Sequence, residues 1–241
     1  MPTAAPQNVT FTYTKGDGIS YELWDAPPMC VPTTLRTISE DEMQVLAWLQ
    51  KYRGEIVAAA RKHKVDRRAI AGAIAWEALK NVKGAVLGGM RRATGIVVGP
   101  GKPHLVEPHV CAIMGSGLLL PCVTDDDTWP KAVEDAGLVT KQTLDDRTAL
   151  LKTPAGSIEY IAATMDLIAQ TYETAGSPGH CEPSIRHNPI ILTNVYNGRG
   201  PQEWARRVKE IKPTDELKGG NRMDVWVANH MQYLEDGVGT P

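Results

Sequence analysis

The sequence predicts a mainly α-helical domain with a small Gly-rich β-hairpin lobe, preceded by an extended N-terminal leader. Three observations lead there. Apolar residues recur at helical spacing, most clearly at Ile158, Ile161, Ala162, Met165, Ile168, Ala169 and Tyr172, which together form one stripe of a helix. Residues 84 to 127 break that pattern, being rich in Gly and Pro and poor in periodicity. In a helical protein such a stretch reads as a functional lobe or hairpin rather than a spacer. Residues 1 to about 37 carry Pro, Gly and Thr with a short alternating run at Val9, Phe11 and Tyr13, the period of an extended strand.

Taken in order, residues 1–37 form the leader, expected to pack on a single main domain of residues 38–241. Ser39-Glu40-Asp41-Glu42 has capping-box spacing and starts a helix. Its apolar positions include Met43, Leu46, Leu49 and Ile56, and Gly54 marks a break within it. Asp66 is a good N-cap for a second helix running to about Asn81. Helical signal returns near Trp129 and is clearest from Ser157 to Thr174. After the loop GSPGHCEPSIRHNP, three further helices are expected, around Ile190 to Tyr196, Gln202 to Ile211 and Met223 to Leu234.

Composition narrows the function classes. At 42% hydrophobic and 22% charged residues, the chain has the make-up of a soluble globular protein. A net charge of -2 and a pI near 6.3, without a long Lys or Arg run, give no footprint for nucleic acid. No apolar stretch reaches the length of a membrane span, so membrane insertion is not expected. A single Phe stands beside six Trp and seven Tyr; such rings suit stacking on sugars but equally fill core and boundary positions. The N-terminus MPTAAPQNVTFTYTKGDG has neither a basic n-region nor an apolar h-region, so it does not read as a Sec signal peptide. Cys30, Cys111, Cys122 and Cys181 show no CxxC pair and leave all three full pairings open.

The most informative segment is VDRRAIAGAIAWEALKN. Ile70, Ala73, Ile74 and Glu77 stand at i, i+3, i+4 and i+7, which places Glu77 on the apolar face of its helix. Carboxylates are seldom buried there without a partner. Desolvation disfavours the charged form, and a carboxylic acid that keeps its proton near neutral pH is what glycosidic cleavage needs, because the leaving oxygen must be protonated. From periodicity alone, a Glu at a helix end that is paired or solvated is the better explanation of the pattern.

The same segment resembles the catalytic helix of soluble lytic transglycosylases and goose-type lysozymes, where a "V-x-x-x-x-[IL]-x-[AG]-x-[IAV]-x-x-E" run ends on the catalytic Glu; Glu77 occupies that place. The family then has a short Gly-rich hairpin bearing a sugar-contacting polar residue. ATGIVVGPGKPHL stands at that spacing, with Lys102 or His104 where the family often has Gln. A long helix similar to SIEYIAATMDLIAQTY follows, and then an "A-Y-N-x-G" motif that resembles Asn194-Val195-Tyr196-Asn197-Gly198. The resemblance spans roughly residues 55 to 205. It implies a lysozyme-like α+β domain that cleaves peptidoglycan glycan strands with Glu77 as catalytic acid and without a cofactor. Tyr196 is then expected near Glu77, with Asn197, His104 and Lys102 binding substrate. The usual Ser after the Glu is replaced by Ala78, which leaves the subfamily open.

A hydrolase needs a second carboxylate across the bond from the acid, and no Asp or Glu lies between Glu77 and Glu107. That favours lytic transglycosylase over muramidase chemistry by a narrow margin. Glu107 and Asp125-Asp126-Asp127 are further acids that would reach the cleft only if the middle region folds back over it, and the acidic run is read as a solvated turn.

Three other readings compete. His104, His109 and Cys111, or His180, Cys181 and His187, invite a metal, but their spacings fit no common zinc site and none is expected. A Cys-dependent peptidase or amidase needs a paired Cys and His, which the adjacent His180 and Cys181 do not supply. A sugar-binding or phage structural module would keep the fold without the reaction. With no Sec signal expected, delivery by a specialised route follows, either as an antibacterial effector with a cognate immunity protein or as a phage lysis enzyme.

Overall fold

The computed structural model describes residues 9–14, 20–25, 40–81, 128–151, 153–175, 184–198, 200–210 and 223–239. Among these the architecture is mainly helical. The strands Val9–Thr14 (β1) and Ser20–Asp25 (β2) pair antiparallel, Val9 opposite Asp25 and Thr14 opposite Ser20, so the alternating run falls on β1. The Gly-rich lobe, the four cysteines and the packing of the leader on the main domain lie outside the described residues.

The helical elements are α1 (Glu40–Lys51), α2 (Arg53–His63), α3 (Arg67–Trp76), a π-helical turn (Glu77–Asn81), α4 (Trp129–Asp135), α5 (Leu144–Leu151), α6 (Pro154–Thr174), α7 (Pro189–Gly198), α8 (Pro201–Glu210), α9 (Met223–Asn229) and α10 (Met231–Val238). No helix among the described residues is long and apolar enough to cross a membrane.

Helix α3 is the centre of this arrangement. Its N-cap is Asp66, whose side chain accepts the Arg68 backbone N–H at 2.8 Å. Every residue from Arg68 to Trp76 is buried, and α1, α2, α6, α7, α9 and α10 all pack against it. Small side chains permit this. Ala69, Ala71, Ala73 and Ala75 let neighbours close in, and at Gly72 a Cβ would meet Val227 Cγ2 of α9 at 2.6 Å. The apolar stripe of α6 is buried as its periodicity predicts, from Ile158 through Tyr172. Its start lies three residues earlier than Ser157, where Thr153 caps the helix by accepting the Gly156 N–H at 3.1 Å. Helix α8 docks on α6 through Trp204, whose indole N–H donates to the Ile168 carbonyl at 3.0 Å.

Buried charges tie the helices in pairs. Arg68 donates to Asp66 at 2.6 Å and to Glu235 of α10 at 3.0 Å, anchoring the start of α3. Glu134 of α4 accepts from Arg147 of α5 and from the Tyr160 hydroxyl of α6, both at 2.6 Å. Burial pushes the Glu134 carboxyl up, but the bonds from Arg147, Tyr160 and the Gln142 N–H more than offset it, and its pKa is lowered.

Several local expectations are corrected. The break between the first two helices falls at Tyr52 rather than Gly54, which sits inside α2 with open space around it. Met43 is half exposed, because the face that packs is Val45, Leu49, Tyr52 and Ile56. The single helix expected from Met223 to Leu234 is two, divided at His230. There the backbone N–H of His230 bonds to Val227 O, and its ring Nδ1–H takes the Trp226 carbonyl at 2.6 Å, so a side chain competes for the helix's own acceptors. Helix α5 has no counterpart in the sequence reading.

Substituting Gly72→Ala tests the close approach of α3 and α9. Val227 is β-branched and stiff at χ1, so it cannot swing away. The overpacking exceeds the helix-propensity gain, and chemical denaturation is expected to show a net loss of about 1–3 kcal/mol.

Candidate active site

Glu77 lies one residue beyond the end of α3 and opens the π-helical turn. Its backbone N–H still reaches Ala73 O and Ile74 O, so the α-helical ladder holds up to the carboxylate and widens just after it. Single π turns within helices are found frequently at functional sites. The Glu77 side chain is fully buried, as its place on the apolar face predicts.

Tyr196 comes from α7, which packs along α3. It is 2% exposed. Burial first, and the negative charge of Glu77 second, push its phenol well above the ordinary tyrosine range. Both side chains are buried, on helices that pack along one another. The Tyr196 hydroxyl makes no hydrogen bond to another described residue. Asn197, beside it, is half-buried near the C-terminal end of α7. Two residues before Tyr196, Asn194 donates to Asp224 of α9 at 2.5 Å within the core, which fixes α7 against α9.

An aromatic cluster backs the site, and the sequence reading did not find it. Trp76 meets Trp226 of α9 edge-on, with ring centroids 6.3 Å apart. Trp226 stacks on His230 at 4.0 Å and meets Tyr233 at 6.0 Å. The Tyr233 hydroxyl donates to the Glu42 carbonyl of α1 at 2.7 Å, and His230 Nε2 lies 3.6 Å from the Glu42 carboxylate. The signal for it was the i, i+4, i+7 spacing of Trp226, His230 and Tyr233, which lines them along one side of the chain.

Lys102 and His104 lie outside the described residues, as do Glu107, Asp125, Asp126, His109, Cys111, His180 and Cys181. His187 is exposed. Among the described residues no group of three or more His, Cys, Asp or Glu could hold a metal ion. The arrangement thus offers a buried carboxyl at the end of α3 and a buried phenol on α7, with α3 packed against six neighbouring helices. Comparison with protein-family models, curated proteins and solved structures gives no match to this chain.

Because the Tyr196 hydroxyl is buried with no hydrogen bond to a described residue, its removal deletes a desolvated polar group rather than a contact. Tyr196→Phe is expected to unfold within about 0.5 kcal/mol of wild type, or slightly above it, when followed by denaturant titration. A large loss of stability would mean that the hydroxyl has a structural partner.

Proposed function

We propose that this chain cleaves the glycan strands of peptidoglycan at the MurNAc–GlcNAc β-1,4 bond, with Glu77 as general acid and then base. The observation that carries the reading is the full burial of Glu77 at the end of α3 with Tyr196 beside it. Removing a carboxyl from water favours its neutral, proton-donating form, and the leaving oxygen of a glycosidic bond has to receive a proton. Order along the chain supports it as well. The segments that resemble the catalytic helix, the long following helix and the Tyr-Asn-x-Gly motif become α3, α6 and α7, and α3 packs against both of the others. On this reading the helical domain is a lysozyme-like one.

The expected steps need few groups. Glu77 gives its proton to the oxygen leaving the muramyl anomeric carbon as that bond breaks. The resulting carboxylate then takes the proton of the muramyl 6-hydroxyl, whose oxygen closes on the same carbon to give a 1,6-anhydro end. A hydrolase would use water for this step, placed by a second carboxylate. With no acid between Glu77 and Glu107, the transglycosylase route is favoured. Tyr196 is proposed to orient the hydroxyl, with Asn197, Lys102 and His104 proposed as sugar contacts. Delivery by a specialised secretion route into a rival's periplasm, countered by an immunity protein, is the context proposed.

Full burial of Glu77 also suits a second reading, a sugar-binding or structural module in which Glu77 is a core acid. Digestion of purified peptidoglycan by wild type, Glu77→Gln and Tyr196→Phe separates the two. Mass spectrometry of the released muropeptides is expected to show anhydro-muramyl ends from wild type and none from Glu77→Gln. Tyr196→Phe is expected to be at least tenfold slower while folding normally. Reducing muramic ends would make the protein a muramidase. Binding without release, or equal release by Glu77→Gln, would remove Glu77 from the chemistry.

A further inference from the structure

Away from Glu77, a second group of titratable side chains is buried without a role in the proposed reaction. His63, the last residue of α2, is 3% exposed and has a carboxylate at each ring nitrogen. Its Nε2 lies 3.0 Å from Glu159 Oε1, and its Nδ1 lies 3.3 Å from Asp166 Oδ2, both carboxylates belonging to α6. A neutral imidazole carries one N–H. It can therefore satisfy only one of these contacts, leaving a nitrogen lone pair facing carboxylate oxygen at the other. Both contacts are attractive only for the imidazolium.

The surrounding charges agree. From α2, Lys62 pairs with Glu159. From the segment after α6, Arg186 pairs with Asp166 at 2.7 Å and with Glu173 at 2.9 Å, and Gln170 donates its amide to Asp166 at 3.0 Å. Three carboxylates against two fixed cations leave one negative charge, which a protonated His63 cancels. Arg186 carries the joint onward. Its guanidinium donates to the His63 carbonyl at 3.0 Å, and its own carbonyl accepts the N–H of Asp66, the N-cap of α3, at 2.9 Å.

We propose that His63 is a protonation-operated latch: as an imidazolium it clamps the end of α2 to α6 and, through Arg186, seats the start of the helix that bears Glu77. Loss of its proton loosens that joint. Burial pushes the imidazole down, but the hydrogen bonds and charges of Asp166 and Glu159 outweigh it and hold the group above the ordinary 6.5. The hydrogen bond to His63 draws Glu159 below its usual value against the opposing effect of burial. Asp166 is pushed up by burial, yet its bonds to His63 and Arg186 bring it down overall. A raised histidine contributes stability that is complete below 6.5 and is lost as pH climbs through the folded value. Lowered carboxylates contribute above their ordinary 4.5 and 3.8 and lose that contribution as pH falls through the folded values. The latch is therefore fully closed between about 4.5 and 6.5 and opens on the alkaline side. It does not depend on the reaction proposed for Glu77.

Two measurements on the full chain test it. The His63 imidazole resonance, identified by its loss in His63→Gln, is titrated by NMR in wild type and in Glu159→Gln, a change at a side chain 28% exposed. Wild-type His63 is expected to titrate above 6.5, and Glu159→Gln to lower that midpoint by about one pH unit. Unfolding midpoints are then followed from pH 6 to 9. Wild type is expected to fall towards His63→Gln as pH rises, and the fall to begin at lower pH in Glu159→Gln. A His63 that titrates at or below 6.5, or a wild type and His63→Gln that decline in parallel, would overturn the latch. Should His63→Gln not fold, the pH dependence of the wild-type unfolding midpoint and its displacement in Glu159→Gln decide alone.

Discussion

A helix can be enclosed on all sides only if its own side chains are small enough to let neighbours reach its backbone, and α3 meets that condition. Four alanines and Gly72 bring six other helices onto ten residues of chain. Such a helix gives up contact with water from Arg68 onward, so its orphan N-terminal groups and the charges near it must be answered inside the protein. Asp66 does so by capping the helix while binding Arg68, which in turn reaches Glu235. The position of Glu77, at the end of this helix, follows from that anchoring.

The same logic recurs at the other joints. Glu134, Arg147 and Tyr160 close α4 and α5 over one side of α6, whereas His63, Asp166 and Arg186 close α2 onto another. In each case a desolvated charge is opposed at hydrogen-bond distance. Buried pairs of this kind add little net stability over an apolar substitute, yet breaking one partner leaves the other charge stranded. They thus specify which helix meets which, while the apolar stripes supply the bulk of the driving force.

What the sequence disclosed was local or periodic. Asp66 as a cap, the stripe of α6 and the inward face of Glu77 all follow from spacings within one helix, and the structure has them. The nearness of Tyr196 to Glu77, about 120 residues apart, could not come from spacing and rested on the motif resemblance. Met43 was misplaced because two adjoining apolar stripes run along α1, and only its partner α10 decides which is buried. The break at His230 depends on a side chain capturing a carbonyl, with no Gly or Pro to announce it. The Glu134–Arg147 and Arg68–Glu235 ion pairs join residues 13 and 167 positions apart, distances over which a single sequence carries no pairing signal.

The wall around α3 is assembled from distant parts of the chain. Tyr233 bonds to Glu42 across 191 positions and Gln50 to Asp236 across 186, joining α1 to α10 beside the Glu77 helix. Joining residues so far apart defers much of the packing to late in folding, since the entropy of closing the loop is lost before the contacts form. On the ribosome, α1, α2 and α3 emerge well before α9 and α10, with Gly72 and its alanines facing solvent or whatever shields them. The socket of Glu77 is therefore among the last parts of the molecule to exist, and a nascent chain carries the residue without the surroundings that would give it any chemistry.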